Sequence, residues 1–138
     1  MEILRCLKEQ DSICLAVASR SPVEAAGTGI LEALDLLQIF CCLEIHRGSK
    51  ATHFERITAV TGVSYRDMVF FDDDASNINV VSRLGVCSIL VSKDSGLTFS
   101  AVRTGLKRYR SACLSRSNMR AWLRSSETNE KHRTSDKI

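Results

Sequence analysis

The chain has little of what would mark a membrane, secreted or metal-finger protein. No apolar run in its 138 residues approaches the roughly 18 that a membrane-spanning helix needs. The opening residues Glu2, Arg5, Lys8 and Glu9 carry too much charge for a secretory leader. Six cysteines are present (Cys6, Cys14, Cys41, Cys42, Cys87 and Cys113), but there is no Cys-x-x-Cys pair and several lie in apolar runs. Free cytosolic thiols acting as small hydrophobes are therefore expected rather than a disulfide framework. His46, His53 and His132 do not stand at finger spacing from cysteine pairs, which argues against structural zinc. With no leader, no span and thiols of this kind, the expectation is a cytoplasmic protein that makes no use of a membrane.

The residues that are there suit one globular domain. At 44% hydrophobic the chain can bury a real core. The overall charge of +3 is unevenly spread, because residues 103–138 hold ten basic side chains against three acidic ones, leaving the rest of the chain acidic. Past about Arg110 large apolar residues thin out, so residues 1–110 are expected to form the domain and 111–138 a basic, solvated and largely disordered tail, with helical character near 104–124. Such a tail has the charge to meet RNA, an anionic surface or an acidic partner. The single tryptophan and the lack of stacking aromatics among the arginines argue against nucleic acid.

Strand and helix signals alternate along the chain. An amphipathic helix over residues 2–10 precedes a buried strand at 13–18. A helix over 22–37 follows, with Val23, Ala26, Ile30, Leu34 and Leu37 on its apolar face, and then a strand at 39–45. Ser49 is placed to cap a helix over 51–61 with Phe54, Ile57 and Val60 facing inward, and strand 68–71 comes next. A helix from about Ala75 to Leu84 stops at Gly85, a further strand spans 86–91, and a last helix begins near Thr98 or Ser100. This alternation implies an α/β fold with a parallel sheet covered on both faces.

Three strand ends carry chemistry. Met68-Val69-Phe70-Phe71 runs into Asp72-Asp73-Asp74, which puts carboxylates at the carboxyl end of a strand, where open α/β sheets bind ligands. Crowded carboxylates need compensation, and Mg²⁺ is the obvious hard cation. The plainer alternative is that Asp74 simply caps the following helix. Ser19 and Arg20 end an earlier strand, where a hydroxyl and a guanidinium can hold phosphate, although Ser21 before Pro22 also reads as an ordinary helix start. Lys50 lies near a helix start, where the helix dipole repels it unless an anion is close. Judged by itself it reads as a surface lysine.

Together, Ala16-Val17-Ala18-Ser19-Arg20-Ser21, Glu44-Ile45-His46-Arg47-Gly48-Ser49-Lys50-Ala51-Thr52-His53-Phe54-Glu55-Arg56, Phe70-Phe71-Asp72-Asp73 with Asn77-Ile78, and Leu84-Gly85-Val86 resemble the haloacid dehalogenase superfamily of aspartate-nucleophile phosphatases, and within it the eukaryotic magnesium-dependent phosphatases. The resemblance spans about residues 1–110. It implies a Rossmann-like parallel sheet with helices on both faces. It also implies Mg²⁺-dependent hydrolysis of phosphomonoesters, with small phosphorylated substrates such as sugar phosphates, or phosphotyrosine. By the same resemblance Ser19 and Arg20 bind the phosphoryl group and substrate, Lys50 neutralises phosphoryl charge, Asp73 binds Mg²⁺, and Asp72 contributes directly or through water. The family's first strand ends in Asp-x-Asp, the nucleophile and the general acid. In this chain that spacing occurs only within Asp72-Asp73-Asp74. The chain thus reads as an N-terminally shortened form without the nucleophile strand, with no catalytic aspartate pair and little or no turnover. A binding or interaction protein, or a basic-tail binder of nucleic acid, is the alternative. In the family the missing strand lies between the strands at 13–18 and 68–71, so either those two re-pair directly or the domain is marginal.

Overall fold

The computed structural model describes residues 2–22 and 24–135. Within them the order is α1 (Glu2–Lys8), β1 (Ala16–Ser19), α2 (Glu24–Ala33), a 3-10 turn (Leu37–Ile39), β2 (Cys42–Ile45), α3 (Lys50–Thr61), a second 3-10 turn (Tyr65–Asp67), β3 (Val69–Asp72), α4 (Ala75–Ser82), β4 (Cys87–Leu90) and α5 (Phe99–Ser135). This is the expected alternation and the expected α/β class. The last helix passes through Arg110 without a break.

Both strand pairs are parallel. Ala16 to Ser19 align with Cys42 to Ile45, and Val69 to Asp72 align with Cys87 to Leu90. Among the described residues the two pairs remain separate two-stranded sheets, with no ladder between β1 and β3. The two strands therefore do not re-pair directly. In β1 no side chain is fully buried, and in β3 only Phe70 is, which is unusual for parallel strands that normally run through a core.

The main core lies under α3 and α4, where Cys42, Phe54, Ile57, Met68, Phe70, Val81 and Val86 form one buried cluster. Phe54 meets Phe70 edge to face, with ring centroids 5.0 Å apart. Side chains alternate along a strand, so Val69 and Phe71 face the other way from Phe70. There they meet α5 at Gly105, where a Cβ would stand 2.8 Å from the Phe71 ring and 3.1 Å from Val69. The domain thus has helices on both faces of β3, and the close approach of α5 depends on a residue without a side chain.

Several local expectations are corrected. Ile30 and Leu34 are 61% and 46% exposed, so this part of the apolar face expected for α2 does not enter the core, while Val23 and the side chain of Ala26 lie outside the described residues. The helix stops at Ala33, Asp35 takes a left-handed conformation (φ 53°), and Leu36 and Ile39 beyond it are buried instead. Val60 is 66% exposed. The buried stripe of α3 is Lys50, His53, Phe54 and Ile57, a helical i, i+3, i+4, i+7 face that starts with two polar residues. The cysteines are not all free thiols, because Cys14 and Cys41 form a disulfide with Cα atoms 6.2 Å apart, whereas Cys6, Cys42, Cys87 and Cys113 are free. The bridge joins the amino ends of β1 and β2, where Cys41 N also donates to Leu15 O at 2.8 Å. Burial, and then the nearby Glu44, push the Cys42 thiol up, as burial does for Cys87, so both behave as core hydrophobes.

Candidate functional site

The carboxyl ends of β1 and β3 converge at Lys50. Ser49 caps α3, its Oγ accepting from Thr52 N at 3.3 Å, which makes Lys50 the first helical residue. Lys50 is only 6% exposed. Its Nζ donates to Ala18 O of β1, lies 3.1 Å from Asp72 Oδ2 of β3, and stands 5.5 Å from the centroid of the Phe70 ring. The surface-lysine reading is thereby overturned. The anion that a lysine at a helix start requires is Asp72, and one side chain ties together two sheets that share no ladder.

Asp72 is fully engaged. Besides Lys50, its carboxylate accepts from Asp74 N at 2.8 Å and from Asn77 Nδ2, which is 3.1 Å from each oxygen. Asn77 is buried one turn into α4 and is placed for that purpose. Asp74 caps α4, its Oδ1 accepting from Ser76 N at 2.8 Å and Ser76 Oγ at 2.7 Å, and Arg20 reaches its other oxygen at 3.1 Å. These Ser76 hydrogen bonds, with Arg20 adding to them, hold the Asp74 carboxyl below the ordinary carboxylate range. Capping by Asp74 is thus borne out. Asp73, between these two anchored acids, is exposed. Ser19 ends β1 with its Oγ 3.3 Å from Ser21 N, in a tight local turn.

Sequence reasoning missed His53 and its supports. The ring is completely buried, with Nδ1 2.8 Å from Ser49 O and Nε2 2.8 Å from Ser19 O and 3.0 Å from His46 O. It pins the start of α3 to the ends of β1 and β2, which positions Lys50 and Ser19 together. His46 stacks on it at 4.0 Å, nearly parallel, and is held by Glu44 at 2.9 Å. The signal was present as spacing, since His53 follows Lys50 by three residues on the same helical face.

The donor set is chemically suited to a hard cation. Asp73 is the carboxylate free to ligate, while Asp72, whose oxygens already serve Lys50 and Asn77, is suited to contact through water. Mg²⁺ is satisfied by one or two carboxylates, with waters or substrate oxygens completing its shell. Among the described residues no three His, Cys, Asp or Glu side chains cluster to form an all-protein metal cage.

A parallel α/β fold whose strand ends gather a serine hydroxyl, two cations and three consecutive carboxylates has the layout of a Rossmann-like phosphohydrolase. A family described as Acid Phosphatase matches residues 1–112. Human magnesium-dependent phosphatase 1 is 37% identical over 113 residues, which cover 80% of this chain and 63% of that protein. A HAD-like hydrolase superfamily protein of Schizosaccharomyces pombe is 35% identical over 107 residues, covering 69% of this chain and 59% of that one. The chain belongs to the acid phosphatase family of the haloacid dehalogenase superfamily. It spans about three fifths of the length of the curated relatives it matches.

Proposed function

We propose that residues 1–110 carry the phosphoryl-binding and Mg²⁺-binding part of a phosphomonoesterase site. The observation that carries this reading is Lys50, buried and held between the ends of β1 and β3 beside Ser19 and Asp72. Ser19 Oγ and the Arg20 guanidinium would receive phosphoryl oxygens, and Lys50 would neutralise the charge that develops on them. Phosphoryl transfer depends mainly on such positioning and electrostatic stabilisation. Asp73 would hold Mg²⁺ with Asp72 behind it, and the ion would supply charge neutralisation at the phosphoryl oxygens. Arg20 must leave Asp74 to contact substrate, an exposed pair that costs little to break. Small phosphomonoesters or phosphotyrosine are the substrate class, in a cytoplasmic setting. A family match that ends at residue 112 supports a boundary near 110.

The chain's only Asp-x-Asp spacing lies within Asp72-Asp73-Asp74, where Asp72 and Asp74 are both committed to hydrogen bonds. On this reading the residues present would bind a phosphate ester without supplying an aspartate pair to attack it. This favours a second reading, a phosphate- and Mg²⁺-binding protein without turnover.

Calorimetry tests the site. Mg²⁺ and inorganic phosphate should each bind the folded chain, Asp73→Asn should abolish Mg²⁺ binding while sparing phosphate, and absence of both binding events would refute the assignment.

A further inference from the structure

A second cluster of cations lies at the opposite end of β3. The turn Tyr65–Asp67 precedes that strand, and mid-α5 packs beside it to form an open cleft of about 390 Å³ lined by Ser64, Arg66, Asp67, Arg116, Ser117 and Arg120. Asp67 and Asp72 are five residues apart along an extended strand, so the cleft is roughly 15 Å from the Lys50 site.

Its three arginines share the cleft with a single acid. Among the described residues none of the three arginines forms a salt bridge with a carboxylate. Arg116 is held in place instead, its guanidinium donating to Arg66 O at 3.3 Å and Cys113 Sγ at 2.9 Å. The single acid of the cleft, Asp67, accepts from Tyr109 OH at 3.4 Å. That phenol is pushed up to about 12, first by its hydrogen bond with Cys113, so it stays a donor across the physiological range. Nor does the stretch of helix around them help, because residues 95–126 include no acidic side chain. Three guanidiniums gathered in one cleft with a single carboxylate repel one another, and their planar forks match the oxygens of a phosphate.

We propose that the cleft formed by Arg66, Arg116 and Arg120 is a second anion site that takes the dianionic phosphate of a phosphomonoester. Three arginines and one aspartate leave two positive charges, which a monoester carrying close to two negative charges balances and a diester does not. Ser64 and Ser117 supply hydroxyl donors beside the forks. The openness of the cleft suits a phosphate borne on a larger molecule as well as a free one.

The test is arginine side-chain NMR on the full chain, titrated with inorganic phosphate, with a phosphoserine peptide and with dimethyl phosphate. The Nε–H signals of Arg66, Arg116 and Arg120 should shift with the two monoanion- and dianion-forming probes and not with the diester. Arg66→Gln and Arg120→Gln should each weaken binding at this cleft about tenfold, as expected for loss of a charge-assisted contact. Arg103→Gln, elsewhere on the same helix, should leave binding unchanged. Tighter binding of the peptide than of free phosphate would identify a polypeptide-borne ligand, and equal binding a small free anion, either in support of the site. Unmoved signals, equal response to the diester, or binding indifferent to both cleft substitutions would overturn the proposal. Because the readout is residue by residue, phosphate at Ser19 and Lys50 cannot be mistaken for it.

Discussion

Lys50 Nζ lies 3.1 Å from Asp72 Oδ2, and the two side chains are only 7% and 10% exposed. They come from different strand-helix units, so the pair joins the β1–β2 half of the domain to the β3–β4 half. Breaking a buried pair by removing one partner strands the other, at a cost of about 3–5 kcal/mol. Lys50→Met and Asp72→Leu should each lower stability by that order in urea denaturation. Lys50→Met combined with Asp72→Leu should cost clearly less than the two losses added together, which a double-mutant cycle reads directly.

The disulfide closes a loop of sequence separation 27 between the amino ends of β1 and β2. Chain-entropy reasoning assigns a loop of that length a stabilisation of about 3.5 kcal/mol. A reducing agent, or Cys14→Ser, should lower the denaturation midpoint correspondingly. Thiol counting on unreduced protein checks the premise, since four of the six cysteines should react after unfolding.

Gly105 gives α5 its closest approach to β3. Adding a Cβ there forces the Phe71 ring or Val69 to move, so Gly105→Ala should destabilise by about 1–3 kcal/mol despite alanine's better helix propensity. Gly29→Ala, where a Cβ meets nothing within 4 Å, serves as the contrasting substitution in the same thermal melt.

The Asp74 carboxyl is held low by Ser76 and then Arg20, so its contribution to stability has a definite sign. It is present above the ordinary aspartate range and is lost as pH falls through the lowered folded-state value. Acid titration of Ser76→Ala should therefore show a smaller loss of stability than the parent over that same low-pH interval. The buffer for the comparison should hold ionic strength constant, because the exposed Arg20 contact is screened by salt.

Much of the fold was legible because periodicity is a local property. The alternation of elements, the Ser49 and Asp74 caps and the parallel pairing all follow from residues close together in sequence. Lys50, judged by itself, read as a surface side chain, and His53 drew no role, for the converse reason. A helix stripe that begins with lysine and histidine looks solvent-facing until Asp72 and the Ser19, Ser49 and His46 carbonyls are brought to it from other elements. The Cys14–Cys41 bridge escaped notice similarly, since spacing along the chain does not reveal that two strand starts lie side by side. The left-handed turn at Asp35, after which Leu36 and Ile39 are buried, is a backbone feature that no periodic pattern encodes.

Hydrolysis of p-nitrophenyl phosphate on the folded chain, with and without Mg²⁺, shows most directly whether these residues turn a phosphate ester over. Loss of a covalent nucleophile in other hydrolases costs up to about 10⁶ in kcat. The expected result is hydrolysis at the uncatalysed rate under either condition. Mg²⁺-dependent turnover that disappears in Asp73→Ala would contradict it, because a carboxylate of this chain would then be doing the work assigned to an aspartate that its residues do not supply.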